Sequence, residues 1–436
     1  MNISRHLDKG VWTLATRGTN ALYGIFFIFI VLRLLPGEEY GKFALIRDTY
    51  LIIFTLSVTL GMAPMVKYFY DNEDRAALQS HALLLTAGFS LLVIILLGLF
   101  RHRIGELLNN PDFSTQFVFI PLLMLASFGK LYANELCRAT HKIKLIFYTE
   151  ALYFSSNLLL ISWLIFSGTF HTAPHVLIPM VISYSLSSGL GLWMVRSDIS
   201  LQLTWRKDTF SRLLEYGRFS FGHGLVGQII ERMNIYIVSS LLGLQAVATL
   251  DAVKNFLRVY ELYKQSIALI GFPAFSRLHG EGRFIDLRSL YEKGVFFSYI
   301  LLLPAILFYW LSADFLFDFI LKGKYPEGAF LLRIFSLAGL LTLWQALGDS
   351  LIFGIGVPKF PFYVRIIAAV VSLTLHIILV NMLGLIGAVY AYLATLALSS
   401  ILITAYVKRK TGFTFSGIFS RWKDLAVFVR NFIRKG

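Results

Sequence analysis

Charged side chains recur inside stretches of this 436-residue chain that are otherwise apolar. Arg47 and Asp48 stand side by side within FALIRDTYLIIF. Asp251, Lys254, Arg258, Glu261 and Gln265 follow one another at spacings of three and four, which places them on one face of a helix. Arg218 and Arg232 fall on about the same side of a segment that also carries Gln228, Glu231 and Asn234. Thr13, Arg17, Asn20 and Gly24 repeat the three-to-four spacing near the N-terminus. A guanidinium is a planar fork of donors that matches the oxygens of a phosphate or carboxylate. Basic residues outnumber acids in these segments, which points to an anionic ligand. Arg17, Arg47, Arg218, Arg232, Lys254 and Arg258 are the candidate binding residues.

Two readings fit this pattern. An ionised side chain facing lipid costs several kcal/mol, so the stripe must face a bundle interior or a water-filled cavity. The charges line such a cavity, or they pair with one another structurally, with Asp251–Lys254 and Arg258–Glu261 (or Glu261–Gln265) at the right spacing.

The elements that hold these residues follow from composition. Hydrophobic residues make up 57% of the chain and charged residues 15%. A soluble domain carries about a quarter charged residues, so the solvent for much of this chain is lipid. Apolar runs predict an all-α polytopic membrane protein with about twelve transmembrane helices. They fall over 11–35, 43–66, 79–100, 114–136, 144–168, 174–196, 216–241, 246–272, 294–313, 328–353, 360–383 and 384–407. The first, second, seventh and eighth are the least pure, and the polar stripe lies in them. Pro64, Pro273 and Pro304 mark bends or, for the first two, helix ends. Glu150 and Asp349 are read as polar groups of helix packing.

The net charge of +15 is explained by Lys and Arg gathered in loops on one side of a membrane, without nucleic acid. The bias between the two sets of loops is roughly fivefold and puts both termini in the cytoplasm. The first apolar run, from Gly10 to Leu35, is too long for the core of a cleavable signal peptide. Residues 411–436 alternate Phe419, Trp422, Leu425, Phe428 and Phe432 with basic residues, the pattern of an amphipathic helix on the cytoplasmic leaflet.

The chain also resembles itself at an offset of about 207 residues, as repeat-built transporters do. LRLLPGEEYGKFALIRD aligns with SSLLGLQAVATLDAVKN, so that Arg47 meets Lys254 and Asp48 meets Asn255. Two six-helix bundles related by a parallel pseudo-repeat follow, over 1–200 and 201–410, with 411–436 as the tail. Each half contributes its first two helices to the polar pattern.

No phosphate-binding glycine loop, zinc-protease helix, CxxC pair or serine-hydrolase elbow occurs, and Cys137 is the single cysteine. No catalytic residue, metal site or cofactor is assigned, and the chain reads as a non-enzyme.

The segment KGVWTLATRGTNALYGIFFIFIVLRLLPGEEYGKFAL, the stretch GFPAFSRLHGEGRFIDLRSLYEKG and the two six-span halves resemble the polysaccharide transporter family of the multidrug/oligosaccharidyl-lipid/polysaccharide (MOP) exporter superfamily. These are flippases for lipid-linked oligosaccharides such as O-antigen units. The resemblance covers about residues 5 to 410. It implies a central cavity whose basic residues, here matched by Arg17, Arg47, Arg218, Arg232, Lys254 and Arg258, receive the pyrophosphate of a polyprenyl-linked saccharide. Asp48, Glu231 and Asp251 are the candidates for ion coupling. The implied setting is the inner membrane, with membrane lipids, the lipid-linked oligosaccharide and the enzymes that build and polymerise it as partners. Multidrug export and a membrane-embedded glycosyltransferase or ligase are the alternatives; the excess of arginine disfavours the former.

Overall fold

The computed structural model describes residues 3–70, 74–202 and 205–424. Helix is the only regular secondary structure among them. The long helices are α1 (Ile3–Phe27, continued by a π turn, Ile28–Leu32), α2 (Gly37–Tyr68), α3 (Arg75–Leu99), α4 (Phe113–Ala139), α5 (Ile143–Phe166), α6 (Pro174–Val195) and α7 (Lys207–Leu242). They continue with α8 (Leu244–Phe256), α9 (Arg258–Gly280), α10 (Phe284–Ile320), α11 (Gly328–Gly354), α12 (Lys359–Leu383) and α13 (Leu385–Thr411). A short α14 (Phe415–Ser420) follows.

Among the described residues nine of these helices are long and apolar enough to cross a membrane. The exceptions are α1, α7 and the α8/α9 pair, which carry most of the charged pattern. The long helices therefore correspond to the twelve expected spans, with the eighth broken at Leu257 into α8 and α9. Large side chains such as Leu99 on α3 and Leu311 on α10 remain more than 70% exposed. Lipid is the solvent that makes such exposure tolerable, because helices satisfy their own backbone.

The chain divides into two compact units, Met1–Asp251 and Ala252–Gly436. In the first, α4 packs on α6, α5 on α6 and α1 on α5. Small residues set these approaches, as they do wherever the hydrophobic effect cannot draw helices together. A Cβ on Gly129 would lie 2.9 Å from Ser188, and one on Gly191 3.0 Å from Ala133. Helix α7 seats on the π turn of α2 (Val58–Met62). There Gly217 lies so close that a Cβ would stand 2.3 Å from the Leu60 carbonyl oxygen. Met62, Met65, Leu78, Leu131, Leu136 and Leu213 form part of the buried apolar cluster behind this seat. Pro64 follows that π turn, where a wider helical turn absorbs its missing donor.

In the second unit α9 packs on α11, and α12 and α13 pack together. Tyr260 and Tyr263 of α9 bond the Ser336 carbonyl and the Ser298 hydroxyl, each at 2.7 Å. Pro273 lies inside α9, which runs on for seven more residues to Gly280, so the reading of Pro273 as a helix end does not hold. The C-terminal segment is clasped by Glu292 of α10, which pairs with Arg288 at 2.9 Å and Arg421 at 2.6 Å. Phe413 is buried against Tyr291. Phe419 and Trp422 are exposed, whereas Leu425, Phe428 and Phe432 lie outside the described residues.

Candidate functional site

The charged residues of the first unit converge because two glycines let α2 and α8 touch. Gly37 and Gly41, four apart in PGEEYGKF, share a helix face. A Cβ on Gly41 would sit 2.2 Å from the Leu244 carbonyl oxygen, and one on Gly37 2.0 Å from the Gln245 side chain. Six residues beyond Gly41 is Arg47, and seven beyond Leu244 is Asp251. With about 1.5 Å of rise per residue the two side chains arrive at the same height.

Arg47 reaches Asp251 through Nη2 to Oδ1 at 2.9 Å and Nη1 to Oδ2 at 3.2 Å, a two-point carboxylate contact. Its Nε and Nη2 also donate to Asp48 Oδ1 at 3.0 and 2.9 Å. Arg232 of α7 brings Nη1 to within 2.8 Å of that same Asp48 oxygen, while its Nε donates to Gln228 at 2.8 Å. Tyr40 donates to Asp251 Oδ2 at 2.5 Å. Tyr236 and Thr49 share a hydrogen bond of 2.9 Å beside the cluster. Phe27, Tyr40 and Phe43 pack together below it, and the Arg47 guanidinium lies over the Phe43 ring at 5.4 Å.

Two guanidiniums and two carboxylates sum to zero charge. The carboxylate side chains are 2% and 6% exposed, against 17% and 23% for Arg47 and Arg232, so the cations are the side open to approach. Two N–H groups of Arg47 donate to Asp48 Oδ1, and Arg232 Nη1 forms an ion pair with that same oxygen. That is the arrangement a phosphate oxygen would use.

Thus the structure brings together Arg47, Asp48, Arg232 and Asp251. It places the other expected residues differently. Arg218 is exposed on α7 and lies over the Phe219 ring at 5.0 Å. Glu231 is exposed on the same helix. Lys254, half-buried on α8, and Arg258, exposed at the start of α9, belong to the second unit. The Arg17 side chain lies outside the described residues. Asp251 meets Arg47 at 2.9 Å, and Glu261 pairs with Lys264 at 2.5 Å.

A second buried ion pair was not anticipated. Lys130 of α4 donates to Glu150 of α5 at 2.9 Å and lies over Tyr153 and Tyr184 at 4.5 and 5.4 Å. Asn134 also donates to Glu150, at 3.3 Å. The signal was present: Lys130 stands alone in the middle of an apolar span. Among the described residues no cluster of His, Cys, Asp and Glu could hold a metal ion.

Comparison with known proteins adds the family. A family model described as polysaccharide biosynthesis protein matches residues 30–329. A curated protein of Haloferax volcanii, named probable low-salt glycan biosynthesis flippase Agl15, is 21% identical over 230 residues. The match takes in 51% of this chain and 48% of that one, so the chain spans about half the length of this relative. Among solved structures, a multidrug resistance MATE family transporter of the MOP superfamily in an inward-facing conformation aligns with a TM-score of 0.76 at 15% identity, covering 93% of this chain and 94% of that one. The lipid II flippase MurJ in an inward closed conformation aligns with a TM-score of 0.76 at 14% identity, covering 94% and 89%. These likenesses show the fold. The match over well more than half of the chain shows the family: this is a multi-pass membrane protein of MOP-transporter fold that belongs to the polysaccharide biosynthesis protein family.

Proposed function

We propose that the chain is a transporter that flips a polyprenyl-pyrophosphate-linked oligosaccharide across the cytoplasmic membrane by alternating access. The observation that carries this reading is the convergence of Arg47 and Arg232 on a single oxygen at 2.9 and 2.8 Å, in a membrane protein of a polysaccharide biosynthesis family. The pyrophosphate of the cargo takes that oxygen's place, and the polyprenyl tail stays in lipid. Arg17, Arg218, Lys254 and Arg258 are the further basic residues that the reading assigns to the cargo from the sequence. The name of the Haloferax relative, a glycan biosynthesis flippase, supports the same assignment.

The proposal includes an O-antigen or other lipopolysaccharide repeat as the saccharide, an inner-membrane location with both termini cytoplasmic, and a division of the sequence repeat near residue 200. Glycosyltransferases and a polymerase that handle the same lipid are the partners it implies. The chain itself makes or breaks no bond in the saccharide.

Multidrug export is the second reading, favoured by the likeness to a MATE transporter. Reconstitution in liposomes separates the possibilities. Fluorescent lipid-pyrophosphate-linked saccharide should cross to the far leaflet when the protein is present, with its chemical structure unchanged. Transport of a cationic dye in place of the saccharide lipid would transfer the assignment to drug export. Chemical conversion of the saccharide without translocation would make the protein an enzyme.

A further inference from the structure

We infer that residues 198–202, on the way from α6 to α7, form a latch on the end of α3 that opens and recloses in each transport cycle. The inference rests on the transport reading above and adds a conformational device to it.

Three consecutive side chains in the second turn of α3 each accept a backbone N–H from the connection to α7. Gln79 Oε1 accepts from Ser200 at 3.0 Å, Ser80 Oγ from Gln202 at 2.9 Å and His81 Nε2 from Arg206 at 3.2 Å. Gln79 is 1% exposed, and its Nε2 donates to the Asp198 carbonyl at 3.1 Å. Its amide thus pairs with the segment as a neighbouring strand would, giving one donor and taking one. The Tyr132 hydroxyl of α4 donates to Gln79 Oε1 at 2.5 Å and holds the amide in that orientation. Asp74, which caps α3, accepts from Gln202 Nε2 at 2.9 Å and pairs with Arg206 at 2.8 Å. Lys142 pairs with Asp198 at 2.5 Å.

The segment is fastened at the surface. Ser200 and Leu201 are exposed, and Asp198, Ile199 and Gln202 are half-buried. Its apolar anchor is Ile199, which packs against the buried cluster that holds Met62, Leu78 and Leu131. Water replaces surface hydrogen bonds on opening, so their net contribution is modest, and segments held chiefly by them open locally. Helix α7 is held differently: Gly217 lies against the Leu60 carbonyl, and Leu213 is buried in the same cluster. In the repeat proposed above α7 opens the second half of the sequence, yet it belongs to the first compact unit, which runs to Asp251. The latch therefore fastens the start of the second half to the end of α3. Alternating access moves one repeat against the other, so the connection between them has to give, and the surface-held segment is where it gives.

The test bridges the latch. Ser80→Cys and Gln202→Cys are introduced together in the full chain, whose native Cys137 is buried, and joined in liposomes by a short bifunctional methanethiosulfonate. The bridged protein should lose translocation of a lipid-pyrophosphate-linked saccharide and regain it on reduction, with each single-cysteine variant indifferent to the reagent. Full transport by the bridged protein would overturn the inference and leave the transport reading intact. Failure of the wild type to move the lipid at all would overturn both. Where the double variant does not fold, hydrogen exchange of the wild type decides. The Ser200 and Gln202 amides should exchange faster during transport than at rest, and in Gln79→Ala roughly fivefold faster even at rest. Unchanged protection of both amides in transporting liposomes would overturn the inference.

Discussion

Arg47 donates two hydrogen bonds to the carboxylate of Asp251, at 2.9 and 3.2 Å, across 204 positions of sequence. Both side chains are largely buried, so each is the other's substitute for water. Removing one partner of such a pair costs about 3–5 kcal/mol, whereas replacing both by apolar residues of similar volume is close to neutral. Asp251→Ala should therefore lower the melting temperature in detergent markedly. Arg47→Met combined with Asp251→Leu should recover most of the loss while leaving no anion site. A double variant as unstable as the single one would mean that the pair does more for the fold than neutralise itself.

Gly41 is the contact through which α2 reaches α8. Its absent Cβ leaves room for the Leu244 carbonyl, which a side chain would overlap. Forced overpacking costs about 1–3 kcal/mol or more. Gly41→Val should reduce folded yield and melting temperature. Gly88→Ala and Gly222→Ala, where the added atom meets nothing within 4 Å, should be tolerated. Equal behaviour of the three variants in size-exclusion and thermal assays would contradict the role given to Gly41.

Lys130 and Glu150 join α4 to α5 inside the first unit, with side chains 9% and 19% exposed. The tyrosine rings of Tyr153 and Tyr184 flank the ammonium. A double-mutant cycle of Lys130→Met and Glu150→Gln should give a coupling of about 1 kcal/mol or more, since paired buried charges are not additive. A coupling near zero would show that the two charges are independently solvated.

Lys324 lies between α10 and α11, outside the spanning segments. Burial and, second to it, the neighbouring Lys322 push its ammonium down to about 8 from the ordinary 10.5. The folded protein therefore holds fewer protons than the unfolded chain between those values, and stability rises with pH through that window. The cost of charging Lys324 is fully present below about pH 8. Lys324→Met should raise the melting temperature at neutral pH, with the advantage shrinking as the buffer approaches pH 10. An advantage that grows with pH would reverse the sign and the explanation.

Most of the helices were legible in the sequence because lipid imposes length and apolarity on each span separately. The break at Leu257 was not, since hydropathy reads α8 and α9 as one run. Spacing also shows which residues share a helix face without showing which helix that face meets. Asp251 fits a pairing with Lys254 by periodicity, yet α8 presents it to Arg47 because Gly37 and Gly41 set the approach. That glycine pair is visible in PGEEYGKF, but its partner backbone at Leu244 is not. Lys130 escaped for the opposite reason: it is one charge with no periodic companion, and Glu150 lies on the next helix.

The central claim is that Arg47 and Arg232 carry the cargo's pyrophosphate. The most direct test is the initial rate of translocation of a lipid-pyrophosphate-linked saccharide in liposomes containing wild type, Arg47→Ala or Arg232→Ala, each matched for insertion and monodispersity. Loss of a charge-assisted contact costs about 1.5–3 kcal/mol, so the rate should fall roughly tenfold to a hundredfold in both variants while the lipid remains chemically intact. Wild-type rates in two properly inserted variants would reduce the network to structural ion pairing and contradict the account.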